Sequence, residues 1–392
     1  MKTKKIVSLL SLILFMVLTY VGLTIRTQAA ESKDVVVEGG YRFLLYYTQA
    51  IQSYAVDGND IYIQQAYSEN EFDEFDDYKT GRVENLVLIS RCQYSAEYDA
   101  YKPVDHMVIR GAGHGQTLEV YSYNGKKYLL VSCGSKKTYN RTLWWSTQIG
   151  RIEYKPGAFI NNSQVKRLTY LNYSNKKSKR FGTTMRVDAA LTPDKSTLVI
   201  WKLNERGNSE YSAYKFSVVN KEFDKAKNNE VNVKKNKRIK KALVFSTKQY
   251  KLKSRSIQGF AISNKTNGRY NLYVSSGDER YYKLNGISIY KYEIKNGKVR
   301  HKSTARLNAD YVWSSFPPDS EDDGSGDEKE SEESSDEEED YTDDDYTDED
   351  DEDVTFAEIE DLKIVGGDLQ FVVRNTGDAN QQLICTIPQS EF

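Results

Sequence analysis

Five polar residues recur at one position of a repeated strand frame: Gln52, Gln116, Asp188, Gln258 and Glu360. Each stands second in a short run, as in Ile51-Gln52-Ser53-Tyr54-Ala55-Val56 and Ile257-Gln258-Gly259-Phe260-Ala261-Ile262. Amides and carboxylates gathered around one axis supply the donors and acceptors that sugar hydroxyls need. The same side chains could instead satisfy backbone groups of neighbouring strands, because a crowded buried polar axis must hydrogen-bond itself. Asp188 and Glu360 are the two carboxylates of the set, and a carboxylate pair is the minimum for glycoside hydrolysis. The other three are glutamines, and an amide serves neither as general acid nor as nucleophile. Mutual satisfaction of buried polar groups is the stronger reading of the ring, a non-catalytic ligand site the next, and hydrolysis the last.

Other residues join it by position. His114, between Gly113 and Gly115, is expected to open the second of these strands and to hydrogen-bond locally, with a role at the channel mouth as the alternative. Arg186 stands two residues before Asp188. Trp144-Trp145 precedes the strand from Gln148 to Tyr154. In an alternating strand one of such a pair points outward, where an indole could stack on a sugar or rest at a membrane surface. Three histidines have no metal-ligand spacing, and Cys92, Cys133 and Cys385 lie far apart with no CxxC. That pattern predicts buried thiols rather than a zinc site or a disulfide framework, and no resident cofactor.

The elements that must carry these residues follow from the repeat. After Gln52 comes the turn Asp57-Gly58-Asn59-Asp60 and the strand Ile61-Tyr62-Ile63-Gln64. The frame returns with Asn124-Gly125 before Tyr128-Leu129-Leu130-Val131, and with Pro193-Asp194 before Leu198-Val199-Ile200-Trp201. It returns again with Asn267-Gly268 before Leu272-Tyr273-Val274, and with Gly366-Gly367 before Leu369-Gln370-Phe371-Val372. Tight turns between short β-rich runs are the strongest local hairpin signal. The polar positions are spaced by 64, 72, 70 and 102 residues. Removing an acidic insertion of 318–353 brings the last spacing near the others. Units of this length have room for four strands, and radial repetition protects their edges. The expectation is an all-β, five-bladed β-propeller over 35–392, with blades starting near 51, 115, 187, 257 and 359. The last unit is too short for a full blade, so an N-terminal strand at 41–47 is expected to complete it.

Charge divides the chain. From Asp319 to Asp353 there are 23 acidic residues and one lysine. Without this segment and the four basic residues near the N-terminus, 50 basic residues face 34 acidic ones. A body near +16 is drawn to anionic polymers and lipid headgroups, with an affinity that falls as salt rises. The acidic segment has almost no aliphatic residue and is expected to be disordered. It could solubilise, pair with Lys234-Lys235-Asn236-Lys237-Arg238-Ile239-Lys240-Lys241, shield the cationic surface, or bind calcium loosely; no EF-hand spacing occurs in it. Lys2, Lys4 and Lys5 before the apolar run Ile6 to Ile25, then Thr27-Gln28-Ala29, read as a signal peptide over 1–29. An uncleaved anchor is the alternative, because the apolar run is long enough to span a bilayer.

The chain resembles the helveticin J family of large bacteriocins. The resemblance is carried by Gly113-His114-Gly115-Gln116-Thr117, Gln148-Ile149-Gly150-Arg151-Ile152 and Arg167-Leu168-Thr169-Tyr170-Leu171-Asn172. Asp188-Ala189-Ala190-Leu191-Thr192-Pro193-Asp194 and Ser256-Ile257-Gln258-Gly259-Phe260 complete it, in order across residues 110–300. Arg186-Val187-Asp188 replaces a His-Ala-Glu run, and both the acidic insertion and the N-terminal signal are departures. The resemblance implies a secreted monomer that acts on other bacteria, with a cognate immunity protein as a further partner. It supplies no catalytic residue. Envelope glycopolymers or an anionic lipid surface are the expected partners, and nucleic acid is not. A glycan-binding lectin or adhesin, and then a propeller glycosidase, are the alternatives.

Overall fold

The computed structural model describes residues 31–35, 37–45, 49–68, 85–137, 144–248, 250–251, 257–276, 288–307, 357–375 and 382–392. The 1–29 segment and the acidic insertion lie outside these. The described chain opens with β1 (Glu31–Val35) and β2 (Glu38–Arg42). Blade 1 holds β3 (Ile51–Asp57), β4 (Asp60–Ser68), β5 (Asn85–Ser95) and β6 (Ala100–Arg110). Blade 2 holds β7 (Leu118–Tyr123), β8 (Lys126–Lys137) and β9 (Trp144–Glu153), after which β10 (Phe159–Asn161) returns to blade 1. β11 (Lys166–Thr169) then continues blade 2.

Blade 3 holds β12 (Thr184–Leu191), β13 (Thr197–Asn204) and β14 (Asn208–Lys215). An insertion follows: α1 (Phe216–Asp224), β15 (Glu230–Asn232) and α2 (Lys237–Lys241). β16 (Leu243–Ser246) and β17 (Tyr250–Lys251) both pair with β14. Blade 4 holds β18 (Gly259–Ile262), β19 (Arg269–Ser276), β20 (Ser288–Lys295) and β21 (Lys298–Leu307). Blade 5 holds β22 (Ala357–Val365), β23 (Asp368–Asn375) and β24 (Gln382–Ile387).

The result is a five-bladed β-propeller. The innermost strands β3, β7, β12, β18 and β22 meet one another around the axis, and β22 returns to β3. The local cause is turn chemistry. Asn124-Gly125 and Asn267-Gly268 both have positive φ at the two turn positions, the conformation that matches strand twist in a two-residue hairpin.

Alternation then fills the space between blades. In β13, Leu198 and Ile200 enter the core shared with blade 2, while Val199 and Trp201 enter the core shared with blade 4. Each blade is buried on both faces, and five such cores separate the five blades. Cys133, Cys385 and Cys92 sit in three different cores, so all three are free buried thiols. Burial pushes the Cys133 and Cys385 thiols up to about 12.

The edges depart from four plain strands per blade. β10 pairs parallel with β6, β15 with β11, and β1 with β21, so blades 1, 2 and 4 each gain a fifth strand from elsewhere in the chain. Blade 5 is completed by β2, antiparallel to β24. This closing strand is Glu38–Arg42 rather than the expected 41–47, of which 46–47 lie outside the described residues. The physical reason is that Phe43 turns away from blade 5. It bridges Tyr101 of blade 1, where Leu44 N donates to Tyr101 O (2.9 Å), and its ring is buried between the two blades.

A chain lacking residues 31–42 loses the strand that covers β24. Its unfolding temperature should fall by at least about 5 °C, with concentration-dependent association through the bare edge. Calorimetry and sedimentation check this; an unchanged Tm would show that the ring holds without closure.

Candidate functional site: the propeller axis

Gln52, Gln116 and Gln258 stand at or just before the N-terminal ends of their inner strands, whereas Asp188 and Glu360 lie within β12 and β22. Register breaks between Ile51 and Ser53 and between Ile359 and Asp361 leave Gln52 and Glu360 out of the ladder. A bulge of this kind re-aims a side chain. In blades 2 and 4 the ring residue comes just before the strand. There the hydroxyls of Ser132 and Ser275 accept from Thr117 N (3.4 Å) and Gly259 N (2.9 Å) in place of a regular rung. Gln52, Gln116, Asp188, Gln258 and Glu360 are all buried.

Their partners differ. Asp188 Oδ1 accepts from Thr117 Oγ1 (2.6 Å) and from Ala189 N (2.6 Å). Gln258 donates to Glu358, and Glu360 lies 3.9 Å from Arg374. Gln52 Oε1 and Gln116 Nε2 have no hydrogen-bond partner among the described residues.

His114 precedes β7 by four residues rather than opening it, because Gly113 and Gly115 on either side take positive φ that a strand does not. Its ring stacks on Trp145 (4.7 Å), and the guanidinium of Arg186 covers the same indole at 4.1 Å. Burial and the neighbouring Arg186 charge push the His114 imidazole down to about 3, so it is neutral. Trp145 is therefore a half-buried filling between a cation and an imidazole. Trp144 pairs with Lys137 at the start of β9; its side chain lies outside the description.

Below the mouth lies a layer of charge. Lys363 Nζ reaches Asp361 Oδ2 (3.1 Å) on its own strand and Glu119 Oε1 (3.4 Å) on β7. Blades 5 and 2 are not neighbours, so the second contact crosses the axis. Glu119 also meets Lys195 (3.1 Å) and accepts from Leu191 N (3.1 Å). Asp361 accepts from Leu362 N (2.7 Å) and from Tyr54 N of blade 1 (3.2 Å). Gly259 faces this carboxylate so closely that a Cβ there would sit 2.8 Å from Asp361 Cα. Beyond the layer, a cavity of about 250 Å³ opens at the far mouth, walled by Ala55, Ala261, Glu119, Lys195 and Lys363.

Glu119, Asp361, Lys363, Glu358, Arg374 and Lys195 were not among the residues read as ring members. A signal for the cross-axis pair does exist in the repeat. Three residues after each ring position stand Ala55, Glu119, Leu191, Ala261 and Lys363: one acid and one base among apolar residues, two of them small.

The electrostatics follow from burial. Desolvation pushes Asp188 up to about 7, with the Asp361 charge adding to it and Thr117, Lys363 and Arg186 opposing. Burial and Glu358 push Glu360 up to about 8 against Arg374 and Arg186. Burial lifts Asp361 to about 6 despite Lys363. Burial also acts on Glu119, but Lys195, Lys363 and the Leu191 amide outweigh it and hold this carboxyl below its usual range. Among the described residues, no group of three or more potential ligands gathers for a metal ion. The axis is a set of buried, mutually neutralised groups.

Fold and axis define a five-bladed propeller with paired charges filling its channel. The chain belongs to the helveticin J family: residues 77–311 match the family model described as bacteriocin helveticin-J. No curated protein sequence matches. Similar solved structures include an exo-β-1,3-galactanase from Phanerochaete chrysosporium, at 8% identity over 88% of this chain and 61% of that one (TM-score 0.42). The GH43 endo-arabinanase from Bacillus licheniformis is 9% identical over 88% and 94% (TM-score 0.38). Kuenenia stuttgartiensis hydrazine synthase is 13% identical over 63% of this chain and 52% of that one, about half its length (TM-score 0.31). Similarities this weak say nothing about activity.

Two measurements test the axis. Lys363→Met leaves the buried Asp361 without its cation and Glu119 with Lys195 alone, and should cost about 3–5 kcal/mol in urea unfolding. Adding Glu119→Leu should cost less than the sum of the two single losses; a double-variant loss equal to that sum would show that the two residues do not interact. The second is pH. Carboxyls whose folded values lie above their ordinary 3.8 and 4.5 bind more protons folded than unfolded. Stability should therefore fall as pH rises from about 4 to about 8 and level off above. Asp188→Asn should flatten that slope. A wild-type Tm that rises across this window would contradict the assignment.

Proposed function

We propose that this chain is an exported, bacteriocin-type protein that binds the envelope of other bacteria through a cationic face and perturbs it without catalysis. The observation that carries this reading is the insertion on blade 3. From Lys215 to Lys248, both included, there are eleven basic and three acidic residues. The three acids are already engaged: Glu222 with Arg238 (3.3 Å) and Lys225 (3.9 Å), Asp224 with Arg151, and Glu230 with Arg167 (3.0 Å). Lys221, Lys227, Lys235, Lys237, Lys240 and Lys241 are exposed and pair with no acid among the described residues.

The face is held rigidly. Phe216, Val219 and Phe223 of α1 and Ile239 of α2 are buried in the core between blades 2 and 3. Tyr121 of blade 2 donates to Asn220 Oδ1 (2.8 Å), and Asn236 caps α2 by accepting from Arg238 N and Ile239 N. With the apolar stripe used inward, this face offers charge to a partner and little to insert into acyl chains. An anionic glycopolymer suits it, and the attraction would weaken with salt. Family membership supports the bacteriocin part of the reading. The absence of catalysis is supported by the axis, where Asp188 and Asp361 are committed to backbone amides and Lys363.

The test uses mature protein, related Gram-positive cells and a Lys235→Glu/Lys237→Glu/Lys240→Glu/Lys241→Glu variant. Wild-type binding should fall with added salt, and the variant should bind at least about tenfold more weakly at low salt. Viability loss with dye leakage supports the proposal. Equal binding by the variant, or release of reducing sugar, would overturn it.

A further inference from the structure

A second surface lies far from the lysine face, at the seam of blades 5 and 1. Seven large apolar side chains are exposed among the described residues, and five of them belong to two short stretches: Tyr41, Leu44, Tyr94, Tyr98 and Val104. Single exposed apolar residues are ordinary, but a cluster marks an interaction surface. These stretches flank a groove of about 840 Å³ between β2 and the turn joining β5 to β6. That is the size range of small-ligand sites.

The groove is built from tyrosine. Tyr101 forms its base, held at 5.7 Å from buried Phe43. Tyr41 and Tyr94 meet Tyr101 edge-on, at interplanar angles of 82° and 66° and centroid distances of 5.4 and 5.7 Å, and form two walls. Tyr94 is 53% exposed, yet its hydroxyl donates to Asp99 Oδ1 (2.6 Å), which fixes the ring without covering its face. Asn59 and Arg42 line the same groove and add donors and an acceptor beside the rings.

The geometry points to a saccharide-binding groove that takes a neutral glycan chain, with Tyr41 and Tyr94 as stacking walls. Alternating apolar faces and hydroxyls on a sugar match aromatic walls interleaved with amide, guanidinium and carboxylate groups. A bilayer would need a protruding apolar surface, and this one is concave. The proposal rests on the envelope-binding reading for where such glycans are met. Its chemistry is separate, since stacking is insensitive to salt and the lysine face is not.

The probe is an uncharged β-1,4-linked N-acetylglucosamine oligosaccharide, titrated calorimetrically at about 0.5 M salt to screen surface charge. Wild type should bind, and so should the four-lysine variant. Tyr41→Ala/Tyr94→Ala should weaken binding at least about tenfold with an unchanged Tm, while Tyr94→Phe should keep most of it. No wild-type binding, or equal binding by the double alanine variant, overturns the groove. So does a concentration-dependent dimer that the double variant abolishes, which would make a second copy the occupant. Loss of salt-dependent cell binding in the lysine variant alone leaves the groove standing, so the two proposals fail separately.

Discussion

The contact on which the ring depends is Lys363 reaching across the axis to Glu119. Propeller blades meet at their inner strands, where backbones crowd together and little apolar volume can be packed. A cation there joins two blades that are not neighbours and neutralises Asp361, which in turn accepts an amide of blade 1. Three of the five blades are thereby tied through one buried ammonium. Taking such charges out of water is expensive, and the arrangement holds only because each has a partner at close range. The small residues Ala55 and Ala261 leave the space in which the pair can form.

Charge at the axis is held by close partners. Asp188 is buried, with Oδ1 accepting from the Thr117 hydroxyl and the Ala189 amide. Its raised affinity for protons comes from burial and from Asp361. The same holds for the stack of His114, Trp145 and Arg186, in which each group covers the next. Chemistry-bearing residue types at the centre of this fold serve to hold it together.

Both proposed interaction surfaces lie away from the axis. The blade 3 insertion turns its apolar stripe inward and leaves lysines outside. The blade 5 and blade 1 seam exists because the N-terminal chain crosses from one blade to the next at Phe43. Both features come from segments that complete or decorate blades, and neither disturbs the inner ring. A buried core with decorated edges would let one scaffold carry both proposed contacts, one sensitive to salt and one not.

The repeat was legible in the amino-acid sequence because its signals are local. Asn124-Gly125 and Asn267-Gly268 dictate hairpins wherever they occur, and alternation in runs such as Leu198 to Trp201 marks strands buried on both faces. The spacing of the frame then limits the fold to a ring of five, and the three cysteines fall in separate strands that cannot bring them together. The closing strand was legible in kind and not in extent, since whether Tyr41 to Tyr47 stays on blade 5 depends on Tyr101, sixty residues away. β1, β10 and β15 were invisible: each is five residues or fewer and gains its pairing only from a blade edge built elsewhere. Ring residues could be named from the repeat, but which of them is paired, stacked or without a partner depends on side chains from other blades. Sequence alone determined the unit and its number, because turns and alternation act over a few residues. Only the closed ring decided that Lys363 meets Glu119 and that Tyr41 meets Tyr101, because those contacts form between segments that nothing but the tertiary structure brings within a few ångströms.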